Sequence, residues 1–448
     1  MNARNIAVVG SGISGLSACW LLSQQHNVTL IEAGSYLGGH SNTVQCAVPE
    51  GQIEVDTGFI VYNDQTYPNL RSLFSYLNVP TADASMGFGV SLNGGVYEYS
   101  GAGVSSLFGH AGNLLRPKHW RMMADLVRFF RSAAMNLDAV PENMTLQQYL
   151  VEEKFSQDFL DLHLIPVAAA IWSSEPSQML QYPARAFLRF FENHGLLNFV
   201  NRPQWRTVVG GSLNYVKKII EDSRMTTILD CPIHSVDRSG QGVALRGSHG
   251  FSERFDEVVI ATHADTALAM LSQPSAAEVE LLSPFKYSTN HVLLHNDESF
   301  MPKRKRLWSS WNYVSENGAD SDRACVTYWM NSLQPLQTKT NLFVSLNARR
   351  LPAAQTIKAE VTYQHPIFNP QTRVAQLSLW DIQGQNKTWF CGAHFGAGFH
   401  EDGLQAGLAV AEQLGNMKRP WSVDFESARI SVKPIAHTQR PHFLEAAE

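Results

Sequence analysis

Residues 5–32 constrain the fold more than any other stretch. Residues 6–9, I-A-V-V, form a short apolar run of β-strand type. G-S-G-I-S-G follows at once, with Gly10, Gly12 and Gly15 in GxGxxG spacing and Ser11 and Ser14 between them. Residues 16–22 read as a helix and 27–31 as a second strand, which ends at Glu32 and Ala33. Each part has a mechanical job. Gly10 allows the tight turn, Gly12 lets backbone approach a pyrophosphate, and Gly15 lets helix pack on strand. The helix N-terminus offers free N–H groups to phosphates. Glu32 lies about 20 residues past the glycines, where an acid can hydrogen-bond a ribose hydroxyl. Strand, helix and acid together favour a dinucleotide site over a chance glycine turn in an ordinary β-α-β unit.

The bulk numbers set outer limits. A chain of 448 residues predicts two to three domains with ample core. Its net charge of −5 gives no general pull toward nucleic acid. The five cysteines are scattered, and none forms a C-x-x-C. That predicts reduced thiols, a cytoplasmic home and no metal site. The start of the chain runs straight into the first strand, so no signal peptide is expected. No unbroken apolar stretch reaches about 18 residues, the length that a spanning helix needs.

Three further segments bear on the cofactor. Residues 34–40 read G-S-Y-L-G-G-H, with Gly38, Gly39 and His40 soon after the acid. Residues 54–59 read E-V-D-T-G-F, containing Thr57, Gly58 and Phe59. Residues 388–392, T-W-F-C-G, form a strand ending at Gly392, and a glycine-rich loop with Gly398, Phe399 and His400 follows. A helix is predicted over 401–414, with Glu401 and Asp402 in its first turn.

With these segments in place, the chain resembles the flavin-dependent amine oxidase superfamily. That group includes monoamine and polyamine oxidases, protoporphyrinogen oxidase and phytoene desaturase. The resemblance implies that all three segments lie along FAD. It places Gly38, Gly39 and His40 at the pyrophosphate, where the family has G-G-R. It places Thr57, Gly58 and Phe59 near the flavin and ribityl chain, and Ile233 near the adenine. Gly392, Gly398, Phe399, His400 and Glu401 fall in the family's closing motif, in which His394 replaces an acid. No second GxGxxG appears, which argues against a separate nicotinamide domain. No cysteine stands where some monoamine oxidases attach flavin, which implies noncovalent FAD.

The implied fold class is α/β (α+β). A Rossmann-like FAD-binding domain of glutathione-reductase or amine-oxidase type would carry an inserted substrate domain of mixed sheet and helix. The FAD-binding domain would be discontinuous, taking 1–85, 205–275 and 385–420. Residues 86–204 and 276–384 would build the substrate domain, and 421–448 would form a tail. Within these pieces, 226–236 and 255–261 read as strands, 117–200 as mostly helical, and 287–296 and 340–347 as strands.

The resemblance also suggests which residues face the flavin. His291 falls where amine oxidases carry a lysine that holds a water; a strand histidine satisfied by its neighbours is the alternative. Phe399 stands at one of two aromatic positions that flank an amine, and Tyr363 or His365 supplies the other. Loss of the lysine and of one tyrosine argues against an amine substrate.

Longer wording is similar to a bacterial branch of NAD/FAD-binding oxidoreductases linked to fatty-acyl modification. It includes V-D-T-G-F-I-V-Y-N, A-I-W-S, N-H-G-L-L, R-P-Q-W-R-T-V-V-G-G-S and G-F-H-E-D-G-L. This implies an enzyme that takes hydride from an apolar substrate, desaturating a fatty-acyl or isoprenoid chain. The alternatives are an amine oxidase, an FAD-dependent isomerase and a non-catalytic flavin-binding partner protein.

Residues 116–130 mix Arg116, Lys118, Arg121 and Arg128 with Trp120, Met122, Met123, Phe129 and Phe130. Residues 303–306 read K-R-K-R. Both suggest peripheral contact at the inner membrane face; a packed helix and a solvated turn are the alternatives.

Overall fold

The computed structural model describes residues 3–101, 103–172, 176–193, 197, 203–316, 325–348 and 350–434. The first strand, Asn5–Val9, runs in a five-stranded parallel sheet between Asn27–Ile31 and Glu257–Ile260. Thr226–Ile228 and Thr388–Phe390 are the two edges. Ile6, Ala7 and Val8 are fully buried, as expected of a strand covered on both faces.

The helix Ile13–Leu22 crosses from the first strand to the second, and every one of its residues is buried. It packs on His400–Gly415, the helix that follows the glycine-rich loop. Gly407 permits this packing, and Gly15 lets the first helix close on its own glycine turn. A Cβ on Gly15 would lie 1.9 Å from Gly10 O, and one on Gly407 would lie 2.1 Å from Ser14 O. Neither approach leaves room for a side chain.

The run 226–236 divides where a single strand is expected. Thr226–Ile228 joins the parallel sheet, while Ile233–Asp237 opens a separate antiparallel sheet with Val243–Gly247 and Ser252–Phe255. The break falls at Asp230, whose φ of 53° is left-handed, and at Pro232, which has no N–H for a ladder.

A second large sheet has seven strands. It is ordered Ile357–Ile367, Lys286–His295, Phe343–Leu346, Val326–Trp329, Trp311–Val314, Phe88–Leu92 and Tyr97–Ser100. The stretch 117–200 supplies helices, the longest being Pro117–Asn136. Its Met122, Leu126, Phe129 and Ala133 are buried at helical spacing. The apolar side of 116–130 is therefore core, and this helix cannot lie with that side in a membrane.

The segment after the last helix is held by specific contacts. Trp421 stacks on Trp20 with ring centres 5.6 Å apart. Arg429 Nε donates to Asp402 at 2.6 Å, and the Asp402 side chain is fully buried. In the N-H-G-L-L stretch, 194–196 lie outside the described residues, as do Ser173 of A-I-W-S and 435–448 of the tail. Among the described residues no helix is long and apolar enough to cross a membrane.

Candidate active site

The two sheets flank one cavity of about 670 Å³. Its polar end is the first glycine turn. Gly10, Ser11, Gly12, Ser14, Glu32, Ala33, Gly39, His40, Thr57, Gly58 and Phe59 line it, joined by Gly392, Gly398, Phe399 and His400 from the closing loop. These segments lie far apart in sequence and meet because the first and last parallel strands share one sheet.

The turn is open to a ligand. No side chain caps the helix Ile13–Leu22, so its first N–H groups stay available beside the cavity. A Cβ on Gly12 would have nothing within 4 Å. Glu32 borders the same end. Its Oε2 accepts from Ser11 N at 2.8 Å and Ser11 Oγ at 2.6 Å, and its Oε1 accepts from Gly34 N at 2.8 Å. Three acceptor positions are thus filled, and one is left on Oε1 for a ribose hydroxyl.

Some expected residues stand elsewhere. Gly15 is packed beneath the turn, and buried Gly38 donates its N–H to Ser11 O at 3.1 Å. Ile233 is buried in the small antiparallel sheet and does not reach the cavity wall. Glu401 is spent inside the protein. Its carboxylate accepts from the Asn69 and Leu70 N–H groups and from Asn69 Nδ2, at the start of the helix Pro68–Tyr76. That helix has no cap of its own, and the buried acid serves its free N–H groups.

His291 corrects the sequence reading most. It lies on the strand Lys286–His295, as expected, but its side chain is exposed. Asn290 and Val292, its neighbours, are buried. Side chains alternate along a strand, so a position one residue from the wall faces away. Val292, on the opposite face, reaches the cavity, and Tyr287 reaches it from the start of the strand.

Tyr363, His365 and Phe399 all line the cavity. The Tyr363 hydroxyl is fully engaged. Asn42 Nδ2 donates to it at 3.1 Å, and it lies 2.8 Å from Thr57 Oγ1. Thr57 gives its own proton to Asn42 O, so Tyr363 donates to Thr57. Its ring stacks on His40, with centres 4.8 Å apart. Phe399 stacks on Phe190 at 4.6 Å.

His365 is held by a relay whose direction can be deduced. The His291 backbone N–H can only donate, and it does so to Asn347 Oδ1 at 3.0 Å. Asn347 therefore turns its Nδ2 to Asn290 Oδ1 at 2.7 Å, and Asn290 turns its Nδ2 to His365 Nδ1 at 2.8 Å. Nδ1 accepts, so a neutral His365 carries its proton on Nε2.

Five histidines border the cavity: His40, His263, His365, His394 and His400. Burial pushes each one's pKa down, that of His365 to about 4 and those of His394 and His400 to about 3. They are neutral imidazoles at neutral pH. His40 thus stands where the arginine is expected without supplying a charge. It keeps a buried Nε2 with no partner among the described residues, as does His394. His400 is fixed by stacking on Phe59 at 3.8 Å and by the Tyr215 hydroxyl, 2.6 Å from its Nε2. His263 and Tyr287, stacked with ring centres 4.1 Å apart, were not singled out from the sequence. Only the folded parallel sheet brings residues 261–265, A-T-H-A-D, beside the closing loop.

The other end of the cavity is apolar. Phe88, Ile171, Trp172, Phe190, Trp311 and Tyr328 wall it. Among the described lining residues, Glu32 is the only acid and there is no lysine or arginine.

Behind the wall, Asp56 ties three segments together. It accepts from Thr43 Oγ1 at 2.6 Å, Ser212 N at 2.8 Å and Gln334 Nε2 at 2.9 Å. Burial raises its pKa to about 6 against the pull of these donors. Among the described residues no group of three or more His, Cys, Asp or Glu is arranged to hold a metal ion.

The profile described as flavin containing amine oxidoreductase matches residues 13–349. The chain belongs to the flavin-containing amine oxidoreductase family. It is a flavin-dependent oxidoreductase. The match ends before the closing loop, but solved structures extend the likeness. Cyclohexylamine oxidase from Brevibacterium oxydans IH-35A shares 16% identity, covering 92% of this chain and 100% of that one, with a TM-score of 0.68. A fatty acid isomerase from P. acnes that produces CLA shares 13%, covering 92% and 98%, at 0.67. Putrescine oxidase bound to putrescine shares 13%, covering 93% and 100%, at 0.64. At such identities the likeness is one of fold. Comparison with curated proteins finds no match.

Proposed function

We propose that this flavoenzyme holds FAD noncovalently and desaturates an apolar chain, fatty-acyl or isoprenoid, with a hydride leaving one carbon for the flavin and a proton leaving its neighbour for water, so that a C=C bond remains. The observation that carries the reading is the division of one cavity into a glycine-rich polar end and an aromatic end without fixed charge. The residues suit FAD. The uncapped helix start and open Gly12 receive a pyrophosphate, and Glu32 keeps one acceptor for the ribose. His40 and His394 keep unpartnered Nε2 atoms along the same wall.

Bound flavin supplies a two-electron acceptor for hydride. The chain's own residues orient the substrate and exclude water. Phe399, stacked on Phe190, presents an apolar face, and the Tyr363 ring is fixed through its hydroxyl. With its proton on Nε2, His365 serves a ligand as a hydrogen-bond donor. An aliphatic chain entering such a cavity gains about 0.8 kcal/mol per buried CH₂.

A second reading, an isomerase that returns the hydride to the same chain, draws on the fatty acid isomerase that shares the fold. Anaerobic mixing of the oxidised holoprotein with acyl chains and with amines separates the readings. Desaturation bleaches the flavin band with a stoichiometric alkene. Isomerisation moves a double bond with no net bleaching. Bleaching by amines alone would overturn the proposal, and a colourless protein that rejects added FAD would remove its basis.

A further inference from the structure

The two basic stretches, some 190 residues apart in sequence, meet on one face. Arg306 Nη2 donates to Gly109 O at 2.7 Å, and Arg304 reaches Gly95 O at 3.0 Å and the buried Glu98 carboxylate at 2.5 Å. Asn113 Nδ2 donates to Glu98 O at 2.9 Å. The strand Tyr97–Ser100 thus joins the 303–306 loop to the turn before the helix Pro117–Asn136.

Four large apolar side chains on this face are exposed: Val96 by 57%, Leu114 by 46%, Leu115 by 86% and Trp120 by 49%. Trp120 is fixed there, with its Nε1 donating to Leu114 O at 2.9 Å and its ring 5.6 Å from Phe108. The charge around them is lopsided. Residues 93–121 and 301–308 carry seven lysines and arginines and one acid, Glu98, in a chain of net charge −5. Glu98 is buried and paired with Arg304. Asp158 pairs with Arg121, and Glu298 with Lys305. Among the described residues no acid pairs with Arg116, Lys118, Lys303 or Arg306.

We propose that this face docks on an anionic lipid bilayer, with Leu115 and Trp120 entering the interface and Lys118, Lys303 and Arg306 meeting lipid phosphates. Exposed apolar groups ringed by unpaired cations match the two layers of a membrane surface, oil beneath negative charge. A nucleic acid would use the cations and leave Leu115 in water. Docking here is independent of the substrate reading.

Flotation of the holoprotein tests it. Vesicles of phosphatidylcholine with phosphatidylglycerol should carry the protein upward at low salt, and vesicles of phosphatidylcholine alone should not. One basic group near the surface contributes about 1 kcal/mol, so Lys118→Gln and Lys303→Gln should each lower partitioning about fivefold. Leu115→Asp should lower it about tenfold, from the lost burial of one side chain. Val374→Asp, exposed on another helix, should leave it unchanged. All four sites are exposed, so the melting temperature reports intact folding. The proposal is overturned if anionic vesicles fail to carry the wild-type protein, or if Leu115→Asp and Lys118→Gln bind as it does. Retention on DNA without flotation would overturn it equally.

Discussion

Asn290 donates its Nδ2 hydrogen to His365 Nδ1 across 2.8 Å, and a backbone N–H two links away fixes that direction. His365 therefore meets the cavity as a neutral donor. Its tautomer is set by a residue on the neighbouring strand, and its low pKa by burial.

Reversing the donor should change both. In Asn290→Asp the carboxylate accepts from Nδ1, and its charge raises the His365 pKa from about 4. The acid limb of the flavin-reduction profile should move up by about one unit or more. Asn290→Leu supplies no charge and should not move it upward. Identical profiles for the wild type and Asn290→Asp would separate His365 from the reaction.

Gly12→Val should fold and lose the flavin. The Gly12 backbone is extended, with φ −63° and ψ 176°, which valine adopts freely. Among the described residues nothing meets its Cβ, which projects into the proposed cofactor space. Forcing a side chain into a filled site costs about 1–3 kcal/mol, so affinity should fall by up to about a hundredfold. Circular dichroism and the flavin absorbance of the purified variant check the two halves. A variant as yellow as the wild type would place the nucleotide elsewhere.

His291→Ala should do nothing measurable to turnover. The side chain is exposed, and the relay uses its backbone N–H, which alanine keeps. Stability should stay within about 0.5 kcal/mol. A tenfold slower flavin reduction in this variant would return His291 to the site.

His394 should impose a pH dependence of known sign. Burial holds its folded pKa at about 3, against about 6.5 in an unfolded chain. Below pH 6.5 the unfolded state takes up a proton that the folded state refuses. Stability from the neutral ring is therefore complete above that pH and drains away as pH falls toward 3. Compared with His394→Gln, the wild type should lose about 1.4 kcal/mol per pH unit in this window. Urea unfolding of both proteins at several pH values measures the difference, in which the raised pKa of Asp56 cancels because both carry it.

The local grammar of the first 32 residues was readable because it depends on neighbours in sequence. A strand, a left-handed glycine, an uncapped helix and an acid at the next strand's end need no distant partner. The closing strand, loop and helix at 388–415 were readable for the same reason, and Thr388–Phe390 and His400–Gly415 appear as expected. Orientation was not readable. Whether His291 or Asn290 faces inward depends on the register of Lys286–His295 against Ile357–Ile367, where His291 pairs with Thr362 and Asn290 with Tyr363. A one-residue difference reverses every side chain.

Acids were misjudged in the same way. Glu401 stands in the expected first turn of its helix, but the start of Pro68–Tyr76 arrives against it and claims its oxygens. The sequence by itself determined the nucleotide turn and the strand and helix order around it. Only the tertiary structure decided which side chains share the cavity and how far burial holds its histidines neutral. Both depend on segments hundreds of residues apart being packed together, and dielectric and hydrogen-bond partners exist only after that packing.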